Sequence, residues 1–303
     1  MRGWWVWGLG LLVWGCQGTS PPPQAEEQVI LTTFTVLADM TRNVAGERVR
    51  VESITNPGAE IHGYEPTPMD IARAQKASLI LENGLGLERW AERFYSNLQG
   101  VPRVTVSQGI TPIPIGSGAY QNQPNPHAWM SPKLALIYVE NIRQALVKFD
   151  PSNEAIYTQN ARQYQQKIQQ LDQKLRQSLS VIPTSQRVLV SCEGAFSYLA
   201  RDYQLQEIYL WPINAEQQGT PQQIRRTIEQ VRASKVPAVF CESTVNDQAQ
   251  RQVAKEAKVR FGGIFYVDSL TPPGGVAPTY LRLLEHNVHT LIQGLQNPVN
   301  SRS

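Results

Sequence analysis

Four side chains in this sequence could hold a metal ion together: His62, His127, Glu193 and Asp268. Each follows, directly or after a loop, a stretch that reads as a β-strand. His62 follows the strand ending near Ile54 and His127 the one ending near Val106, while Glu193 comes straight after RVLVS and Cys192, and Asp268 caps IFYV. Ligands of open α/β sheets collect beyond the carboxyl ends of the strands. Two neutral imidazoles and two carboxylates balance a divalent cation, so such a centre can be buried without net charge. Taken singly, a loop histidine is more often a surface or hydrogen-bonded residue, and the inference rests on the shared position. Two more carboxylates, Glu65 and Glu242, stand near the same place. They are expected to support the ligands from behind, with Glu242 an outside candidate for a ligand.

The elements that must position these residues alternate strand and helix, which argues for parallel α/β sheets. Between residues 29 and 149 the strands are VILTTF, Val49 to Ile54, SLILEN and Arg103 to Val106. The helices there run from Val36 to Glu47, from Thr67-Pro68, from Glu88 to Ser96 and along PKLALIYVENIRQALVKF. The same grammar returns over 182–303, with strands RVLVS, LQEIYL, PAVF and IFYV. Between the halves, residues 150–181 form one long helix. Tyr157, Ala161, Tyr164, Ile168, Leu171, Leu175 and Leu179 recur at spacings of three and four and make one apolar stripe. Asp150 offers an N-cap and Pro151 suits the first turn. At about 1.5 Å per residue the helix reaches ~45 Å, more than a crossover needs. The expected fold class is therefore α/β: two tandem lobes with parallel sheets, joined by one long spine helix. Each lobe supplies two of the four candidate ligands, and if the lobes face each other across the spine these converge on one cleft.

The chain has 303 residues, 41% hydrophobic and 17% charged, enough to bury two cores. Its formal net charge is only +3, and no basic block is interleaved with aromatics, which argues against a nucleic-acid partner. Residues 1–16, MRGWWVWGLGLLVWGC, combine one basic residue with an apolar run ending in Gly15-Cys16. This resembles a bacterial lipoprotein signal, in which Cys16 is lipidated and becomes the mature N-terminus. An uncleaved anchor and a buried apolar start are the alternatives, although the run is short for a bilayer span. Residues 17–28, with Pro21-Pro22-Pro23, suit a tether holding the domain off the membrane. Cys192 and Cys241 then remain, and an oxidising compartment favours a disulfide between them, each following a strand; two buried thiols are the alternative. On the last helix, His286 and His289 at i, i+3 lie off the apolar stripe and are expected to be solvated. Gly84-Leu85-Gly86 lacks the third glycine of a nucleotide loop and fits a tight turn.

The segments PGAEIHGYEPTP, NPHAWMSP, SCEGAFSYLARDY and YVDSL, with NGLGLERW, DPSN and WPINAEQQGTP between and beside them, resemble the metal-receptor family of ABC importers. These are the manganese and zinc solute-binding proteins, and the resemblance covers nearly the whole chain after the tether. It implies a C-clamp of two lobes on one rigid spine helix, in whose cleft His62, His127, Glu193 and Asp268 bind one divalent metal as transported ligand. It also implies delivery to a membrane permease driven by its ATPase; with the N-terminal signal, the expected protein is exported, lipid-anchored and a monomer. Zinc members commonly place a third histidine where Glu193 stands, and many carry a loop rich in His and acids before the second ligand. Here residues 107–126 hold neither. Two carboxylates make a harder donor set, which suits Mn(II) better than tetrahedral Zn(II). A zinc receptor is the alternative within the family. Outside it stand an adhesin or structural lipoprotein, and a metalloenzyme built on two His and a carboxylate. No nucleophile motif or base beside an open coordination position supports catalysis, so no enzyme is expected.

Overall fold

The computed structural model describes residues 28–96, 98, 100–214 and 219–296, together with Gly3. The expected lipidation site Cys16, and the signal and tether apart from Gly3 and Gln28, lie outside the described residues. In the N-terminal half, β1 (Val29–Thr32), β2 (Arg50–Ser53), β3 (Leu79–Glu82) and β4 (Arg103–Thr105) form a parallel sheet in the order β2-β1-β3-β4. The crossovers are α1 (Thr35–Ala45), α2 (Pro68–Gln75) and α3 (Ala91–Ser96). Helix α2 starts at a capping box: Thr67 Oγ1 accepts from Asp70 N–H, and the Asp70 carboxylate accepts from Thr67 N–H, with Pro68 in the first turn. Helix α3 begins three residues later than its sequence suggests. The Glu88 carboxylate is turned inward, accepting the N–H groups of Asn83 (2.6 Å) and Gly84 (3.1 Å) and the Thr33 hydroxyl (2.8 Å). Gly84, Leu85 and Gly86 all have positive φ, so this segment is the expected tight turn.

Helix α4 (Pro132–Phe149) is capped by Ser131 Oγ, which accepts from Leu134 N–H. The spine helix α5 (Glu154–Ser180) spans 27 residues, and the residues it buries are the stripe from Tyr157 to Leu179 named above. Its start differs from expectation. Residues Pro151–Asn153 make a 3-10 turn, and Asp150 accepts from Asn153 Nδ2 (2.6 Å), the Tyr157 hydroxyl (2.7 Å) and the Ser152 hydroxyl. These side-chain bonds occupy the carboxylate that a backbone N-cap would need. Helix α5 packs on α1 and α4 from the first half and on α9 (Tyr280–Gln296) from the second, so one rigid rod touches both lobes.

The second half contains β5 (Val188–Glu193), α6 (Ser197–Tyr203), β6 (Gln206–Trp211), α7 (Pro221–Ser234), β7 (Ala238–Glu242), α8 (Gln248–Ala257) and β8 (Arg260–Phe265) before α9. Its strands pair as two parallel ribbons, β5 with β6 and β7 with β8. Strands β5 and β7 lie side by side across a seam. Cys192 and Cys241 form a disulfide there, their Cα atoms 4.8 Å apart, and Gln250 Nε2 donates to both Val190 O and Phe240 O. Strand β8 starts four residues before the expected IFYV and stops at Phe265. A bulge skips Gly262, and the side chain of Asn287 takes both the N–H and the carbonyl of Tyr266, ending the ladder. Asp268 thus stands three positions past the strand. Among the described residues no helix is long and apolar enough to cross a membrane.

Candidate metal centre

The loops after β2, β4 and β8 and the end of β5 bring His62, His127, Glu193 and Asp268 together, their ligand atoms all within 4.8 Å of one another. His62 Nε2 lies 3.1 Å from His127 Nε2, 3.2 Å from Glu193 Oε1 and 3.8 Å from Asp268 Oδ1. His127 Nε2 lies 3.5 Å from Glu193 Oε1 and 3.8 Å from Asp268 Oδ1. A tetrahedron with metal–ligand bonds of about 2.1 Å has edges of roughly 3.4 Å, so this spacing is that of donors around one ion. His62 is 6% exposed and the other three are 0%, and Asp268 Oδ1 has no hydrogen-bond partner. A buried carboxylate oxygen without a partner is costly, and a cation beside it removes the cost.

Each ligand is held from behind. Asn125 Oδ1 accepts from His127 N–H (3.1 Å) and from Nδ1 (2.9 Å), because an amide oxygen can only accept. The proton therefore sits on Nδ1 and the lone pair on Nε2 faces the centre. The Asn125 amide nitrogen donates to Gly194 O (2.7 Å), beside Glu193, tying a ligand of one lobe to a ligand of the other. Glu60 accepts the backbone N–H groups of His62 and Gly63, both at 2.8 Å, and shapes the loop that presents His62. Asn214 donates its backbone N–H to Glu193 Oε1 (2.9 Å) and its amide to Glu193 Oε2 (3.0 Å) and Asp268 Oδ2 (3.4 Å), and Thr244 donates to Asp268 Oδ2 (3.1 Å).

Burial dominates the electrostatics. It pushes the Glu193 carboxyl well above its usual range and the His127 imidazole well below, His62 adding to the latter. Asp268 is pushed up to about 8, first by burial and then by the charge of Glu193. All three shifts favour the neutral forms; a divalent cation would reverse the two carboxyl shifts and would keep the imidazole neutral.

Glu242 is fully buried behind this group, its Oε2 accepting from Glu193 N–H (3.2 Å) and its Oε1 unpartnered. Glu65 is placed otherwise than expected: it is exposed on a surface groove with Tyr64, Pro66 and Trp90, because the loop after His62 turns outward to start α2. Glu60 fills the supporting place instead. His289 is exposed, whereas His286 is half-buried, Nε2 donating to Ile264 O (2.9 Å), so neither is grouped with the other as a metal pair. The supports Glu60, Asn125, Asn214 and Thr244 escaped the sequence reading. Asn214 and Thr244 follow β6 and β7 directly, so the strand-end rule that found the ligands could have found them too.

The fold and this site define a two-lobed binding protein for a metal ion. The profile of the family "zinc-uptake complex component A periplasmic" matches residues 30–294, and the chain belongs to that family of metal-binding solute-binding proteins, which are not enzymes. It is 53% identical over 275 residues to the "iron-binding protein YfeA" of Yersinia pestis, covering 91% of this chain and 88% of that one. It is 36% identical to the "manganese-binding lipoprotein MntA" of Halalkalibacterium halodurans, covering 95% of each. Among solved structures, a manganese-bound periplasmic metal-binding protein from Candidatus Liberibacter asiaticus superposes with a TM-score of 0.83 at 40% identity, over 88% of this chain and 99% of that one.

Proposed function

We propose that this protein is the extracytoplasmic receptor of an ABC importer, taking up one divalent metal ion as cargo on His62, His127, Glu193 and Asp268 and delivering it to a permease driven by its ATPase. Manganese(II) is the metal proposed. The observation that carries the reading is the buried cluster of two imidazole nitrogens and two carboxylate oxygens at metal-ligand spacing, with Asp268 Oδ1 unpartnered. Two carboxylates in place of a third histidine make the donor set harder, and manganese stands in the names of a 36% identical relative and of a 40% identical structure. Iron(II) is the second reading, favoured by the name of the 53% identical relative. Zinc(II) binds most such donor sets more tightly than either, so selectivity rests on geometry and supply. In this proposal the lobes are 29–149 and 182–303 on the spine 150–181, and a lipid on Cys16 with the tether 17–28 holds a monomer at the membrane.

Elemental mass spectrometry tests this on protein stripped of metal and then offered manganese and iron in competition with limiting zinc, alongside His62→Ala. One manganese per chain retained in limiting zinc, lost in the variant, is the expected result. Zinc winning outright would leave a receptor of another metal, and loading undisturbed by the variant would move the site elsewhere.

A further inference from the structure

The two carboxylates of the centre do not present themselves symmetrically. Glu193 Oε1 and Asp268 Oδ1 face the imidazoles, whereas Glu193 Oε2 and Asp268 Oδ2 face away, and the same Asn214 amide nitrogen donates to both outer oxygens, at 3.0 and 3.4 Å. The orientation of that amide is fixed chemically. Its Oδ1 accepts from the indole N–H of Trp211 (2.8 Å), and since an indole can only donate, the NH2 must point at the carboxylates. Trp211 is 1% exposed and Asn214 8%, so neither swings freely. Thr244 takes a second bond to Asp268 Oδ2 at 3.1 Å.

The geometry points to Asn214 as the residue that sets metal specificity, by holding each carboxylate to one inward oxygen. Four inward donors make a tetrahedral N2O2 set, the arrangement zinc accepts best, whereas manganese gains from more oxygens. Four side chains reach six donor atoms only if both carboxylates chelate, and that requires Oε2 and Oδ2 to rotate toward the ion, a movement that the Asn214 amide resists at both oxygens and Thr244 at Oδ2. The strength of the amide clamp therefore tunes how many donors the ion meets and how far zinc outcompetes manganese. Asn214 is a positioning residue: it touches the ligands and not the ion. The inference rests on the proposed metal site and deepens it.

The test replaces cargo with cobalt(II), whose visible absorption is intense when four-coordinate and weak when six-coordinate. The parent protein is expected to give the intense bands and Asn214→Ala the weak ones. Zinc affinity should fall by about tenfold or more in the variant, the scale seen for groups that orient ligands, while manganese affinity falls less, so that zinc preference narrows. Thr244→Val, nearly isosteric and leaving the Trp211 contact intact, should shift spectrum and preference the same way by a smaller amount, and guards against misfolding of the first variant. Weak bands already in the parent, or unchanged spectra with both metals weakened equally in both variants, would overturn the role of Asn214 while leaving the receptor standing. A parent that binds none of these ions would overturn the receptor itself.

Discussion

Asp268 carries much of the pH dependence of this molecule. Its folded value of about 8 lies far above the ordinary 3.8, so over that interval the native state binds more protons than the unfolded chain, and the stability of the metal-free protein falls as pH rises. His127, depressed below its ordinary 6.5, works in the opposite sense, costing stability as pH falls below that value. Between 6.5 and 8 the Asp268 effect stands alone among these two. On the proposed site manganese would have to displace the proton, so its affinity is expected to rise over the same window. The thermal shift on adding manganese should therefore grow from pH 6.5 to pH 8. Glu88 and Glu207, half-buried and each pushed up to about 7, and Glu193 and Glu242, pushed well above their usual range by burial, add slope to metal-free stability in the same sense, so Asp268→Asn is the control that isolates the contribution of Asp268. A shift independent of pH would show that Asp268 is ionised before metal arrives. Asn125→Ala, which frees the Nδ1 proton of His127, should weaken metal binding by about 10- to 100-fold, measured by competition with a chelating dye. At this scale the four candidate ligands were legible because metal donors are few in kind and stand at the ends of strands or in the loops after them. Their amide and hydroxyl supports were not, because Asn and Thr populate every loop, and Glu65 misled because sequence distance does not say which way a loop turns.

The seam between β5 and β7 is the element on which Glu193 depends. No ladder joins these strands among the described residues, so the disulfide, the Gln250 amide and the bond from Glu193 N–H to Glu242 hold it closed. With a sequence separation of 49 between the cysteines, the chain-entropy model assigns the crosslink about 4 kcal/mol at most. Reduction should lower the melting temperature and weaken metal binding severalfold, because the backbone of Glu193 then rests on fewer ties. Unchanged affinity in a dithiol reductant would show that the seam holds without it. Glycine packing supplies a second case. A Cβ on Gly294 would lie 2.3 Å from Phe240 Cζ, and one on Gly262 2.4 Å from Phe240 Cε1, so the Phe240 ring fills the space both glycines leave. Gly294→Ala should gain up to ~1 kcal/mol of helix propensity but lose about 1–3 kcal/mol to overpacking, a net fall in melting temperature. The apolar stripe of α5 could be read from its spacing because nothing interrupts it. The early start of β8 was hidden by Gly262 and Gly263, which look like a turn and are a bulge inside a strand.

Across the whole molecule the lobes are fastened to each other as well as to α5. Trp129 Nε1 donates to Val267 O (3.1 Å), the Tyr280 hydroxyl to Trp129 O (2.5 Å), Leu270 N–H to Thr35 Oγ1 (2.9 Å) and Gly58 N–H to Ser269 Oγ (2.6 Å). Asp39, on α1, accepts from the N–H of Tyr280 at the start of α9 (2.9 Å), and the Asn125 amide grips Gly194. A wide hinge rotation would break this set together, whereas a small shift of the second lobe breaks few bonds and still parts Glu193 and Asp268 from the histidines. Two lobes on one rod could be inferred from a long amphipathic helix between two runs of alternating elements. The fastenings could not, since they join residues as far apart in sequence as Thr35 and Leu270 by way of single hydroxyls and carbonyls. Metal release is therefore expected to proceed through second-lobe displacements of an ångström or so, not through opening of the clamp. Crystal structures with and without manganese should show His62 and His127 fixed and the Glu193 and Asp268 carboxylates displaced, with the radius of gyration in solution unchanged. Identical second-lobe positions in the two states, or a marked expansion on metal loss, would contradict release by local withdrawal of the carboxylates.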